Sequence, residues 1–261
     1  MSLLINKRSV RRALSIRIAA DRIAGWDMLA VAHSKRASRH PHSSPVASAA
    51  LLSLPLTLII GYALLEKKML PKFLWRPLSA LYFYPMMLPN LFWRVAFGKQ
   101  SYFSDIDGGV MLGAVPMVVA GHVKALHEDG VRAVLNMQAE YPGPLAAYAA
   151  LHPPIKSLRI PVVDHTEPTV QQLIEAVDFI SAHRARGERV LVHCKGGHGR
   201  SAAVAMAWLI SEQGGGMTPE EAQRRLSSVR HVRSSLFKQP DILEFYARTW
   251  AKAQPKGKLR I

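Results

Sequence analysis

Between residues 101 and 253 short apolar runs alternate with longer amphipathic stretches. Residues 110–115, 131–137, 158–163 and 189–193 are brief, nearly uninterrupted apolar segments rich in Val, Leu and Ile, the pattern of strands buried on both faces. Residues 118–128, 169–186, 201–212, 219–230 and 240–251 return apolar side chains every three or four positions, which predicts helices. Thr218-Pro219-Glu220-Glu221 is a helix start, with Thr as the cap and Pro in the first turn. Strands alternating with helices predict an α/β domain, a central twisted sheet flanked by helices. No internal repeat interrupts the pattern.

The first hundred residues follow another logic. Residues 1–44 carry Lys7, Arg8, Arg11, Arg12, Arg17, Arg22, Lys35, Arg36 and Arg39 against only Asp21 and Asp27. A basic, acid-poor, Ser-containing start able to form an amphipathic helix reads as an organelle presequence, mitochondrial or plastid; a basic tail on an anionic membrane or free in solvent is the other reading. Residues 45–65 hold no charge before Glu66-Lys67-Lys68 ends the run. About 20 apolar residues suffice for one transmembrane helix, and Pro55 and Gly61 are tolerated there. A buried helix or a cleaved sorting signal would share that pattern. Residues 66–100 mix Lys72, Arg76 and Arg94 with Phe73, Trp75, Tyr82, Phe83, Tyr84, Phe92 and Trp93, and Pro85 and Pro89 break the uncharged stretch. This suits a membrane-proximal segment at the lipid surface or one packed on the domain that follows. The chain thus divides into 1–44 (targeting), 45–65 (span, an N-terminal membrane anchor), 66–100 (membrane-proximal), 101–253 (the α/β domain) and 254–261 (a basic tail).

Charge narrows the partners. The formal balance is +16, from 34 Lys plus Arg against 18 Asp plus Glu. Such an excess favours an anionic membrane surface or a phosphorylated substrate, and nucleic acid ranks below both because no basic stripe is interleaved with aromatics. Subunit number leaves no trace in the pattern.

The single cysteine, Cys194, cannot form an internal disulfide or a cysteine-based zinc site. Alone it would read as a small buried hydrophobe. Its setting changes that. The strand Arg189-Val190-Leu191-Val192-His193 runs into Cys194-Lys195-Gly196-Gly197-His198-Gly199-Arg200-Ser201, and an Ala-rich helix follows. Glycines let successive N–H groups turn toward one point, and the helix adds its positive end, which makes a cradle for a tetrahedral oxyanion. The same groups, with Lys195 and Arg200, favour the thiolate. Arg200 can fork two phosphate oxygens, and Ser201 can donate to the sulfur as it leaves. His193 and His198 lack further ligands at suitable spacing, so no metal is expected.

His-Cys-Lys-Gly-Gly-His-Gly-Arg-Ser resembles the phosphate loop of the cysteine-dependent tyrosine and dual-specificity phosphatases. The resemblance implies Cys194 as nucleophile, a phosphocysteine intermediate, Arg200 as ligand of phosphate and transition state, substrate contacts from Lys195, Gly196, Gly197, His198 and Gly199, and no cofactor. Pro161-Val162-Val163-Asp164-His165 resembles the acid loop of the dual-specificity branch, which implies Asp164 as general acid; Glu167 is the local competitor, and Asp178 falls on the next helix. Tyr82-Phe83-Tyr84-Pro85, Tyr102-Phe103-Ser104-Asp105-Ile106-Asp107, Val110-Met111-Leu112-Gly113-Ala114-Val115-Pro116, Asn136-Met137-Gln138-Ala139-Glu140-Tyr141 and Ser227-Ser228-Val229-Arg230 extend the likeness to one branch, the mitochondrial dual-specificity-type phosphatidylglycerophosphate phosphatases. It covers about residues 80–250 and implies a phospholipid substrate, a step toward cardiolipin and the mitochondrial inner membrane, with a plastid or other organelle membrane as the alternative. His198 stands where phosphoinositide phosphatases carry a second Lys, so a phosphoinositide or a phosphoprotein is the rival substrate; His198 either titrates near neutral pH and tunes that choice or is a solvated loop residue. Two other classes compete: sulfur transfer, whose loops are of another length and lack an equivalent of Asp164, and a membrane-bound phosphate-reading adaptor without catalysis.

Overall fold

The computed structural model describes residues 57, 59–83, 85, 87 and 101–253. The expected presequence, the basic tail and most of the expected span therefore lie outside the described residues. Among the described residues no helix is long and apolar enough to cross a membrane.

Five strands form one mixed sheet in the order β1-β2-β5-β3-β4: β1 (Phe103–Asp105), β2 (Val110–Gly113), β3 (Val131–Gln138), β4 (Lys156–Val162) and β5 (Arg189–His193). β1 is antiparallel to β2, and every other pairing is parallel. The three inner strands are apolar on both faces, as a sheet covered by helices on both sides requires. Helix α1 is described over residues 59–66, followed by α2 (Lys72–Leu81), α3 (His122–Glu128), α4 (Leu145–Ala149), α5 (Val170–Arg184), α6 (Arg200–Ile210), α7 (Pro219–Val229) and α8 (Pro240–Ala253).

The predicted strands and helices are all present, with ends that move for local reasons. α3 starts at His122 rather than 118, because Gly121 takes φ 71° and breaks the helical path just before it. α5 and α7 begin where capping boxes close, Thr169 with Gln172 and Thr218 with Glu221. β1 and α4 were not expected; each is too short to show a period.

α6 sits at the centre of the larger core and is buried along its whole length. Its sequence Arg-Ser-Ala-Ala-Val-Ala-Met-Ala-Trp-Leu-Ile explains this: four alanines let it approach the sheet and α7 closely, while Trp208 fills the wider space and donates its indole N–H to Asp107. A second core of Val123, Leu126, Val131, Val134 and Tyr148 covers the opposite face. The parallel register then decides where chemistry falls. Gly113 of β2 and Asn136 of β3 both lie level with His193 of β5. Cys194, Glu140 and Asp164, which follow β5, β3 and β4, therefore leave the sheet at one edge, the C-terminal ends of the parallel strands, where α/β sheets present their ligands.

Because Ala205 is fully buried in α6, Ala205→Leu is expected to cost about 1–3 kcal/mol of stability by overpacking; urea unfolding with an unchanged slope would register it as a shifted midpoint.

Candidate active site

Cys194 follows the last residue of β5 and is buried, and α6 begins six residues later at Arg200. The sulfur accepts two hydrogen bonds, from the Gly197 N–H and the Ser201 hydroxyl, both at 3.2 Å. Burial pushes the thiol up, but the Arg200 guanidinium and the donors from Ser201 and Gly197 more than offset it, so the thiol lies below its ordinary value. The Lys195 ammonium is ion-paired to Asp164.

Gly197 must be glycine twice over. Its φ is +77°, and a Cβ there would lie 2.6 Å from the backbone of Gly113 and 2.8 Å from Arg230. The loop is braced from behind by Arg230, itself buried, which donates to the carbonyls of Gly197 (3.1 Å), Gly196 (3.2 Å) and Ser101 (2.8 Å). Gly199 precedes α6 as its N-cap, beneath the guanidinium of Arg233. His198 lines the pocket, its ring edge-on to His231 at 5.6 Å, and its carbonyl accepts from the Arg233 N–H at 2.9 Å.

Arg200 is the charge at the centre. Its two terminal nitrogens bond both oxygens of Glu140 (2.8 and 2.7 Å), the Val162 carbonyl (2.8 Å) and Asp164 Oδ1 (2.8 Å). The Arg200 and Glu140 side chains are 3% and 1% exposed, so this is a buried, bidentate ion pair. Asp164 bridges Arg200 to Lys195. Burial alone would raise its carboxyl, but Arg200, Lys195 and His165 pull it down to about 2. His193, wholly buried at the end of β5, is held neutral: desolvation lowers it to about 3.

Cys194, Asp164, Lys195, His198, Arg200 and Arg233 line one cavity of about 220 Å³. Gly196 and Gly199 line it too, while Gly197 and Ser201, also expected at the site, are not in its lining and bond the Cys194 sulfur instead. The competitor of Asp164, Glu167, is not in that lining and faces Arg233 at 3.7 Å, and Asp178 lies on α5 as expected, lining a different cavity. Sequence reading missed Glu140, Arg230, Arg233 and Tyr62. Glu140 and Arg230 lie in stretches quoted only for their likeness, and an acid just after a buried strand was the available signal. Tyr62 lay inside the expected span and gave no signal of its own.

Chemically the site offers a thiol of lowered pKa held by two donors at the base of an oxyanion cradle, a guanidinium beside it, and a carboxyl within reach. In the free state Asp164 occupies Arg200. A phosphate dianion would displace it, and the added negative charge would raise its pKa toward the range of a usable acid.

The comparisons with known proteins agree with this geometry. The model of the dual specificity phosphatase catalytic domain matches residues 114–244, half of the chain. The human protein named phosphatidylglycerophosphatase and protein-tyrosine phosphatase 1 is 32% identical over 190 residues, covering 69% of this chain and 92% of the relative. Phosphatidylglycerophosphate phosphatase PTPMT2 of Arabidopsis thaliana is 34% identical over 154 residues, 57% of this chain and 64% of that protein. A crystal structure of PTPMT1 in complex with PI(5)P superposes with TM-score 0.51 at 29% identity over 59% of this chain and all of that one.

Removing one partner of a buried pair leaves the other charge uncompensated, so Glu140→Ala is expected to cost about 3–5 kcal/mol of stability and to lower turnover by misplacing Arg200; thermal unfolding and steady-state kinetics check it. The Asp164 shift carries a sign. If an anion raises that pKa, proton uptake accompanies binding and affinity rises as pH falls. Tungstate titrated into weakly buffered protein at mildly acidic pH should draw protons from solution, and Asp164→Asn should take up fewer.

Proposed function

This chain belongs to the dual specificity phosphatase family, and we propose that it hydrolyses a lipid phosphomonoester, phosphatidylglycerophosphate to phosphatidylglycerol, through a phosphocysteine intermediate. The observation that carries the reading is the Cys194 sulfur receiving Gly197 and Ser201 at 3.2 Å in the same cavity as Arg200 and Asp164. In the first step the Cys194 thiolate attacks phosphorus, and the P–O bond to the glycerol breaks with its electron pair going to oxygen. Asp164 supplies the proton to that oxygen. Arg200 and the loop N–H groups hold the equatorial oxygens as charge builds on them. In the second step the Asp164 carboxylate takes a proton from water, whose oxygen attacks phosphorus. The S–P bond breaks, inorganic phosphate leaves, and the Ser201 hydroxyl steadies the returning thiolate.

A lipid is favoured over a protein substrate because the Arabidopsis thaliana relative is named for phosphatidylglycerophosphate alone, while the human relative's name carries both phosphatidylglycerophosphatase and protein-tyrosine phosphatase. Basic residues at the mouth, Lys195 and Arg233, suit a head group with more than one negative charge. The segment beside the pocket adds support. Ile59, Ile60, Met69 and Phe73 are 50–77% exposed, next to exposed Lys67, Lys68 and Lys72, a surface suited to an anionic bilayer. In this reading residues 1–44 direct the chain to an organelle, 45–65 anchor it, 66–100 lie against the membrane, 101–253 form the catalytic domain and 254–261 a basic tail; the mitochondrial inner membrane is the proposed address. A phosphoinositide is the second reading, favoured by the relative solved with PI(5)P and by His198 at the pocket.

Purified protein offered phosphatidylglycerophosphate, phosphoinositides and a phosphotyrosine peptide should turn over the first with the highest kcat/KM, and Cys194→Ser should abolish all activity. Preference for the peptide would overturn the lipid assignment, and activity surviving in Cys194→Ser would overturn the mechanism.

A further inference from the structure

Tyr62 lies outside the residues that match the family model, yet it lines the catalytic cavity. Its ring meets the His165 ring edge-on at 6.0 Å, and the Lys195 ammonium lies 5.9 Å from its centroid. These two neighbours flank Asp164: Lys195 is ion-paired to it, and His165 follows it in the chain. His165 is in the left-handed region at φ 62°, where a residue with a side chain is strained by about 1–3 kcal/mol unless its surroundings hold it. Its Nε2 is buried, has no hydrogen-bond partner among the described residues and lies 3.8 Å from Asp164 Oδ2, so ring packing and that charge contact place this imidazole.

Helix α1, which carries Tyr62, is itself fixed to the domain. Leu65 is buried, and Tyr62 meets Tyr82 edge-on at 5.6 Å. Tyr82 fits because residue 61 is glycine: a Cβ there would lie 2.4 Å from the Tyr82 hydroxyl. Phe83, next in the chain and also buried, stacks on Tyr141 at 5.0 Å, adjacent to the Glu140 that orients Arg200. The segment before the family domain thus reaches the acid turn through Tyr62 and the neighbourhood of the arginine through Phe83.

We propose that Tyr62 is a positioning residue for leaving-group protonation, its ring holding the Asp164-His165 turn and Lys195 so that Asp164 reaches the oxygen of the breaking P–O bond. This rests on the assignment of Asp164 as general acid. Protonation matters most for a leaving group of high pKa, such as the glycerol of a phospholipid head group, and little for an activated phenol. Tyr62 therefore ties the chemistry of a poor leaving group to the seating of the segment that leads toward the expected anchor.

The test is the dependence of kcat/KM, which reports the step that expels the leaving group, on leaving-group pKa for a series of substituted phenyl phosphates, with the full chain as wild type, Tyr62→Ala, Tyr62→Leu, Tyr62→Phe and Asp164→Asn. Tyr62→Ala and Tyr62→Leu should lose about tenfold or more on the poorest leaving group, part of the range a general acid provides. They should lose little on the best, with KM nearly constant, so that their slopes approach that of Asp164→Asn. Tyr62→Phe keeps the ring and should follow wild type. A uniform loss across the series, no loss, or a Phe variant as impaired as Ala would overturn the proposal; a thermal melt of each variant identifies a folding defect, and Tyr62→Leu carries the test if Tyr62→Ala unfolds. No lipid enters the assay, so a failure of the phosphatidylglycerophosphate assignment leaves it intact. An Asp164→Asn line parallel to wild type would instead remove the acid assignment, and this proposal with it.

Discussion

A guanidinium buried to 3% exposure must find acceptors for its N–H groups or cost several kcal/mol. Arg200 finds them in Glu140, Val162 and Asp164, one residue or carbonyl from the ends of two neighbouring strands. That requirement organises the site. It fixes the start of α6, since Arg200 is its first residue. It fixes the loops after β3 and β4, since their carboxylates must converge on one point. Arg200 also lowers the Cys194 thiol and, with Lys195 and His165, depresses Asp164, so nucleophile and acid both feel its charge. In the free protein Asp164 pairs with this charge, and a bound phosphate would take its place.

The glycine loop is the second constraint. Its backbone has no room for side chains at Gly197, where Gly113 and Arg230 press from behind. Arg230, from the end of α7, satisfies two of its carbonyls. The loop is therefore rigid because two distant segments, β2 and the residues after α7, close around it, and preorganisation of this kind is what an oxyanion cradle needs.

Much of this was legible in the sequence. The four buried strands, five of the helices and the nine loop residues from His193 to Ser201 announced themselves by hydrophobic runs, caps and glycine spacing. Asp164 was legible because it follows a predicted strand in a stretch that resembles the acid loop of the dual-specificity branch. What escaped was long-range partnership. Glu140 and Arg230 are ordinary charged residues until the fold brings them to Arg200 and to the loop, and no local pattern encodes a contact across 60 or 33 positions. Lys195 was expected beside the thiol from its place in the loop, and its ion pair with Asp164 is a partnership that the loop sequence does not encode. Tyr62 was read as part of an apolar run; its role depends on a helix that docks beside the pocket.

The claim on which all of this depends is that phosphorus passes through a bond to the Cys194 sulfur. Rapid acid quenching of the wild-type protein during turnover of phosphatidylglycerophosphate, followed by mass spectrometry of its peptides, measures that bond directly. A single phosphoryl adduct on the peptide containing Cys194, formed and lost at rates compatible with turnover, is the predicted result. Steady product release with no adduct on that peptide, or an adduct on another residue, would contradict it.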